Sequence, residues 1–496
     1  MVVLLIITTF AAYLAYYVWS YYRWVAKYPK GPTPLPFIGN VLQLSSHVVF
    51  RDFERFARKH GNVFTVFLPS PIVVISDFDA IKEAYVVKGD DFYGRPNDLL
   101  VDLLSFSKNS GVINSNGQNW REQRRTSLQI FRDFGMGKNL MEEQVRISVE
   151  EYLTFLDNIK DKNRVDLRWP IQTMVSNVIN ETLFGFRYKY DDCQELMDFV
   201  EQFNKYLQGI TDAIWVHFAV KFPLLTKIPY IGYNIYGKHV ANLQKMKDHI
   251  IRQTTRVAKT YDADIEPTCF VHAYMQRMPH NTYLSTEELQ ACCFDFFLAG
   301  QESTTNTLRW AMLYMAMHQD VQDRVRSEIV ESVGSASRLP SLSDRPRMPY
   351  TTATLLEIQR YANIFGFNLL HRTVVDTELD GKSIPANTLV NGDIHVILAN
   401  DPLFENPEEF NPERFLSADG SSINKEVADH CIPFSIGKRQ CAGEALARVE
   451  LFLGFTAMLQ RYRILPPIDG SLNLEPIYNT IHMPHANLLQ LIPLEQ

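Results

Sequence analysis

Phe434-Ser435-Ile436-Gly437-Lys438-Arg439-Gln440-Cys441-Ala442-Gly443 is the stretch on which the reading of this chain turns. A helical pattern begins directly after it. A lone cysteine is ordinarily small core filler. Here a Phe, a turn Gly, an Arg and a second Gly stand around Cys441 at fixed offsets. That spacing, F-x-x-G-x-R-x-C-x-G, is long and demanding.

Each part of the frame has a use if Cys441 binds haem iron as a thiolate. A thiolate ligand pushes electron density onto the iron and favours O–O cleavage. It must stay ionised and dry. The helix starting near Gly443 offers free N–H groups and the positive end of its dipole. Gly437 and Gly443 permit tight turns and close approach to a flat macrocycle. Arg439 can pair with a propionate through charge-assisted hydrogen bonds. Phe434 can cover the sulfur side and limit solvent.

A second segment breaks a local rule. Ser285-Thr286-Glu287-Glu288 is a capping-box signal, and no proline follows before about Met317. One helix of roughly 30 residues is expected. Its middle, Phe296-Phe297-Leu298-Ala299-Gly300-Gln301-Glu302-Ser303-Thr304-Thr305, interrupts an apolar run with Gly, an acid and hydroxyls. Such conflicts between local and global pattern tend to mark function.

The cysteine loop resembles the haem-binding loop of the cytochrome P-450 family of haem-thiolate monooxygenases. The resemblance recurs along the whole chain. Ala299, Gly300, Glu302 and Thr304 match the family's A-G-x-[D/E]-T-T motif, with Ser303 where a Thr is usual. It implies that Gly300 leaves room over the haem for dioxygen. Ser303 would serve the bound oxygen, with Thr304 as second candidate, and Glu302 would relay protons. Glu357-Ile358-Gln359-Arg360 and Phe410-Asn411-Pro412-Glu413-Arg414-Phe415 resemble the family's E-x-x-R and P-E-R-F segments. They imply a buried Glu357–Arg360–Arg414 network that locks the irregular region before the cysteine. Trp120 and Arg124, on one face of a helix, and His371 look like further propionate partners beside Arg439. The prolines usual before that His are missing. The implied fold is mostly α with a small β region, with the long helix over haem b.

The first 22 residues carry no charged side chain, and Arg23, Lys27 and Lys30 follow. About 20 such residues span a bilayer core, and the basic flank places the following chain in the cytoplasm. Residues 1–22 are expected to form a single transmembrane anchor. Residues 23–40, rich in Pro, form a stiff hinge, and 41–496 the catalytic domain. The resemblance implies an endoplasmic reticulum (microsomal) membrane protein with its catalytic domain on the cytoplasmic face.

A net charge of −7 argues against broad nucleic-acid affinity. The six cysteines form no CxxC pair or regular framework, which fits a reducing compartment. No G-x-G-x-x-G fingerprint is present, so electrons come from outside. The resemblance implies an NADPH-dependent flavoprotein reductase, with a small haem cytochrome as an additional candidate donor. Arg121, Arg125, Lys438 and Arg448 would form the basic docking face. The substrate would be a lipophile such as a fatty acid, steroid or xenobiotic. Leu99–Val112, Phe203–Ala213, Phe294, Phe297, Ile364–Leu370 and Ile477–Tyr478 are candidate pocket segments. Val220–Tyr236 would either dip into the bilayer or pack in the core. Two other readings stay open: a haem-thiolate isomerase or lyase acting on peroxides, and a non-enzymatic membrane haem-binding protein.

Overall fold

Ser285 opens the element around which the other helices are arranged. Its hydroxyl accepts the Glu288 N–H at 3.2 Å. The helix that follows, Thr286–Met317, runs for 32 residues, about 48 Å at ~1.5 Å per residue. It is buried on most sides, so it shows no single apolar stripe. Helices Arg168–Phe184, Glu444–Arg461, Pro349–Ala362 and Lys238–Ala258 pack around it. The computed structural model describes residues 1–45, 48–97, 105–135, 139–211, 222–334, 338–366, 368–468, 470–478 and 480–494.

The β region is small. Val63–Leu68 and Ser70–Ile75 form an antiparallel hairpin turning at Pro69. Ser70–Ile75 then pairs in parallel with Leu389–Gly392, which pairs antiparallel with His371–Arg372. Every residue of Val63–Leu68 is buried, as expected for a strand covered on both faces. This sheet carries His371 from a distant part of the chain to the edge of the site. A second sheet joins Val165–Asp166, Leu488–Pro493 and Tyr462–Leu465.

The N-terminal helix, Val2–Val25, extends three residues beyond the expected end of the anchor. It is long and apolar enough to cross a membrane, and none of that apolar stretch is buried. The following segment is fastened to the hairpin. Trp24 and Tyr28 meet the Phe67 ring edge to face at 5.3 and 5.8 Å. Tyr17 stacks on Phe37 at 4.8 Å. Asn40 donates to the Pro32 carbonyl at 3.1 Å and accepts the Phe67 N–H at 2.8 Å.

The segment that precedes the cysteine loop is held by one buried carboxylate. Arg360 donates to Glu357 from Nε at 2.7 Å and Nη2 at 2.8 Å. The Arg414 Nε lies 3.2 Å from the same group, and the Asn411 N–H donates to it at 2.9 Å. The two guanidiniums reach on to the carbonyls of Leu398, Pro407 and Glu409. All three side chains are buried. A paired buried carboxylate of this kind is costly to remove, because its partners are left charged in low dielectric. Glu357→Ala is expected to destabilise by about 3–5 kcal/mol, read as a lowered denaturant midpoint and loss of haem.

Asp393 begins the short helix Ile394–Asn400, accepting the Val396 N–H at 3.3 Å. Its other oxygen is buried without a partner, and burial pushes its pKa up to about 7. The folded protein therefore binds this proton more tightly than the unfolded chain does. The stabilisation is complete at acid pH and is lost as pH rises towards 7. Asn caps helices as well as Asp. Asp393→Asn should flatten the fall in stability between pH 5 and 8, measured by denaturation at each pH.

Candidate active site

The cysteine loop is shaped by backbone constraints. Gly437 has φ +83°, and a Cβ there would meet the Tyr85 carbonyl oxygen at 1.9 Å. Only glycine fits both conditions. The Cys441 N–H donates to the Phe434 carbonyl at 3.0 Å, which closes the loop. The Phe434 ring lies under the Arg448 guanidinium at 5.0 Å. Gly443 caps the helix Glu444–Arg461. Burial pushes the Cys441 thiol up, while the Gly443 and Glu444 N–H groups and the Arg124 charge favour its ionised form.

Cys441 lies deep in the protein and yet has an exposed surface, unlike the five other cysteines, which are buried. Ala299 is likewise exposed in the middle of the otherwise buried central helix, and Ser303, one turn on, is partly so. Thr304, its neighbour, pairs with Glu450, nine residues after Cys441 on the helix that follows the loop. The helix that carries Ala299 and Ser303 thus packs against the helix that leaves Cys441, and both segments keep accessible surface. A Cβ added at Gly443 would meet nothing within 4 Å, so the loop too borders open space.

Positive charge gathers beside the cysteine loop. Arg439 is buried, with hydrogen bonds to the carbonyls of Tyr93 at 2.8 Å, Val112 at 3.3 Å and Ser115 at 2.6 Å. Its guanidinium lies 3.8 Å over the Trp120 ring. The Trp120 indole N–H is buried and has no partner. Arg124 donates to the Gln440 carbonyl at 2.6 Å. Arg95 is wholly buried and donates to the carbonyls of Ile113 at 3.0 Å, Leu369 at 3.0 Å and Leu370 at 2.9 Å. Among the described residues no carboxylate pairs with any of the three arginines. Burial and the two like charges push Arg439 down to about 7, and burial brings Arg95 down to about 10. Three cations and an unpartnered indole donor fit a buried dianion, which is what haem propionates are.

The other sequence-predicted residues fall in varied surroundings. A Cβ at Gly300 would stand 3.2 Å from Ile179 Cγ1, so this glycine also allows close packing against the helix Arg168–Phe184. His371 joins the cluster, but its Nδ1 donates to the Phe92 carbonyl at 2.9 Å and its ring stacks on Tyr85 at 3.9 Å. Burial, with Arg95 and Arg439 nearby, holds it neutral. Its one proton is thus committed, and it presents no second donor. Glu302 is buried and turned to Asn306, whose amide donates to it at 2.9 Å, and Arg309 in turn donates to Asn306 at 2.9 Å. Phe297 is enclosed by Phe184, Phe199 and His249 as core, and Tyr478 sits beneath Arg51. Of the candidate pocket segments, residues 99–104, 212–213 and 367 lie outside the described residues, as do 220–221. The expected basic docking face is largely neutralised. Asp90 meets Lys438 and Arg121, Glu122 meets Arg125, and Glu444 meets Arg448.

Arg95 and Glu450 were not singled out from the sequence. The one available hint was Phe92-Tyr93-Gly94-Arg95-Pro96, an Arg between Gly and Pro in apolar surroundings.

The fold is mostly helical, and Cys441 keeps an accessible surface beside a cluster of arginines. The cytochrome P-450 family model matches residues 29–487. The chain belongs to the cytochrome P-450 family, whose members are monooxygenases using haem with cysteine thiolate ligation. Cytochrome P-450 2H1 of Gallus gallus is 34% identical over 481 residues, covering 94% of each chain. Cytochrome P-450 2C2 of Oryctolagus cuniculus is 35% identical over 485 residues, 94% of this chain and 96% of that one. Cytochrome P-450 2C55 of Rattus norvegicus is 33% identical over 501 residues, 99% of each.

The two hydroxyls on the central helix face different ways, and that separates their expected effects. Ser303 donates to the Ala299 carbonyl at 2.8 Å and stays on the open face. Thr304→Val should cost about 1–3 kcal/mol of stability by leaving Glu450 without this partner. Ser303→Ala should leave stability nearly unchanged and lower the product formed per electron pair consumed. The opposite pattern would show that the faces are misassigned.

Proposed function

We propose that this chain is a membrane-anchored monooxygenase that inserts one oxygen atom from dioxygen into a lipophilic substrate such as a fatty acid, steroid or xenobiotic. The reaction would be hydroxylation or epoxidation, with electrons from an NADPH-dependent flavoprotein reductase. One observation supports the reading: the accessible Cys441 sulfur sits in a loop beside Arg124, Arg439 and the unpartnered Trp120 indole, and no described carboxylate pairs with those arginines.

Haem b, ligated by Cys441, would supply dioxygen binding and its reductive activation. The chain supplies the rest. Arg439, Arg124, Arg95 and the Trp120 indole would bind the propionates. The Gly443 and Glu444 amides favour the thiolate. Ser303 would offer a hydroxyl on the oxygen side. Burial raises the Glu302 pKa, which biases this group towards holding a proton that can be passed on. Water is kept out by the apolar core on either side of the central helix.

Residues 1–22 would serve as a single-pass anchor in the endoplasmic reticulum membrane, 23–40 as a hinge and 41–496 as the cytoplasmic catalytic domain. The uncharged helix and the basic residues behind it support this orientation. Leu224, Tyr230 and Tyr233 are 74%, 82% and 62% exposed, which speaks against core packing for the described part of 220–236. An apolar surface of this kind suits contact with lipid, from which lipophilic substrates would enter.

The reduced, carbon-monoxide-bound protein should show the strongly red-shifted Soret band of thiolate ligation, and Cys441→Ser should abolish it. A band unchanged by that substitution removes the ligand assignment. Product from a panel of lipophiles should require NADPH, reductase and dioxygen together. Turnover with a hydroperoxide alone would instead favour the isomerase reading, and a normal band with no product anywhere a non-enzymatic haem protein.

A further inference from the structure

Two carboxylates of the central helix bond backbone N–H groups of another segment. Asp295 and Glu288 lie two turns apart and grip the same loop. The Asp295 Oδ2 accepts the Val112 N–H at 2.7 Å and the Ile113 N–H at 2.8 Å. Glu288 accepts the Gly111 N–H at 3.0 Å and the Asn119 amide at 2.9 Å. Asp295 is almost completely buried. Gly111, at φ +75°, brings the loop so close that an added Cβ would stand 2.4 Å from the Asp295 Oδ2.

The carbonyls of this same loop point the other way. Those of Val112 and Ser115 hold Arg439, and that of Ile113 holds Arg95. The peptide between Val112 and Ile113 is thus used on both sides, its N–H by Asp295 and its C=O by Arg439. A buried carboxylate costs several kcal/mol in desolvation unless its bonds are made. Its retention here is explained if the loop must be held in one place. No packing need explains why two peptide N–H groups should converge on one oxygen.

We propose that Asp295 is a positioning residue for haem: it pins the loop from Gly111 to Ser115 so that Arg439 and Arg95 are set to receive the propionates. The inference rests on the reading of those arginines as propionate partners. Both N–H groups bond one oxygen, so an isosteric amide can replace the carboxylate. An apolar side chain cannot.

The test uses the full-length holoprotein and follows haem transfer to excess apomyoglobin, which needs no turnover. Asp295→Ala should lose haem about tenfold faster and Asp295→Asn within about twofold of the parent rate. Arg439→Lys should also speed loss. Combined with Asp295→Ala it should add almost nothing, because the two act through one loop. A remote core change, Val149→Ala, should multiply with Asp295→Ala instead. Unchanged loss in Asp295→Ala, equal loss in the Asn and Ala variants, or a multiplied effect with Arg439→Lys would overturn the proposal. If Arg439→Lys alone has no effect, the propionate reading itself fails, and the proposal with it. Should Asp295→Ala not take up haem, Gly111→Ala presses on the same oxygen from the loop side and supplies the same comparisons.

Discussion

Three guanidiniums share one buried corner of this protein with no described carboxylate to neutralise them. Positive charge in low dielectric is tolerated only where an anion or dense hydrogen bonding meets it. Arg439 and Arg95 satisfy their donors largely with backbone carbonyls. Carbonyl dipoles soften the charge but do not cancel it, and burial, with the two like charges, presses Arg439 far below its ordinary pKa. A dianionic ligand at this corner relieves all three at once. Much of the surrounding architecture follows from having to keep that corner positive, dry and in place.

The Glu357 network shows the contrasting solution. There one carboxylate meets two arginines and a backbone N–H, and the charges balance within the chain. That cluster can form as the polypeptide folds. The arginine corner cannot reach balance by folding alone. The segment between the two, with the cysteine loop at its end, is therefore anchored at one side by a completed ion network. At the other it meets the arginine corner, where Arg124 holds the Gln440 carbonyl.

What was legible in the sequence was what local rules encode. The Ser285 cap, the proline-free run behind it and the glycine at position 437 each act on their own neighbours, and each stands where the pattern placed it. The residues that were missed or misread take their meaning from distant partners. Gly300 is small because Ile179 of another helix lies against it. His371 has its proton tied to Phe92, 279 positions away. Arg95 is bound to carbonyls on two unrelated loops, and Glu450 finds Thr304 only when two helices cross. Spacing along the chain holds no information about such contacts. The pairing of the expected docking face was hidden for the same reason, since Asp90 reaches Lys438 only through the fold.

The central helix works as a ruler for all of these parts. Successive residues turn by about 100°, so its neighbours in sequence serve different masters in space. Glu288 and Asp295 face the loop that carries the arginines. Ala299 and Ser303 keep accessible surface. Glu302 and Asn306 face Arg309, and Thr304 faces the helix that leaves Cys441. A one-residue slip within this helix would rotate every later group off its target while leaving the earlier ones in place. The mixed, rule-breaking sequence of its middle is thus the record of several partners read from one rod. It is why a helix with no amphipathic stripe can still specify a single register.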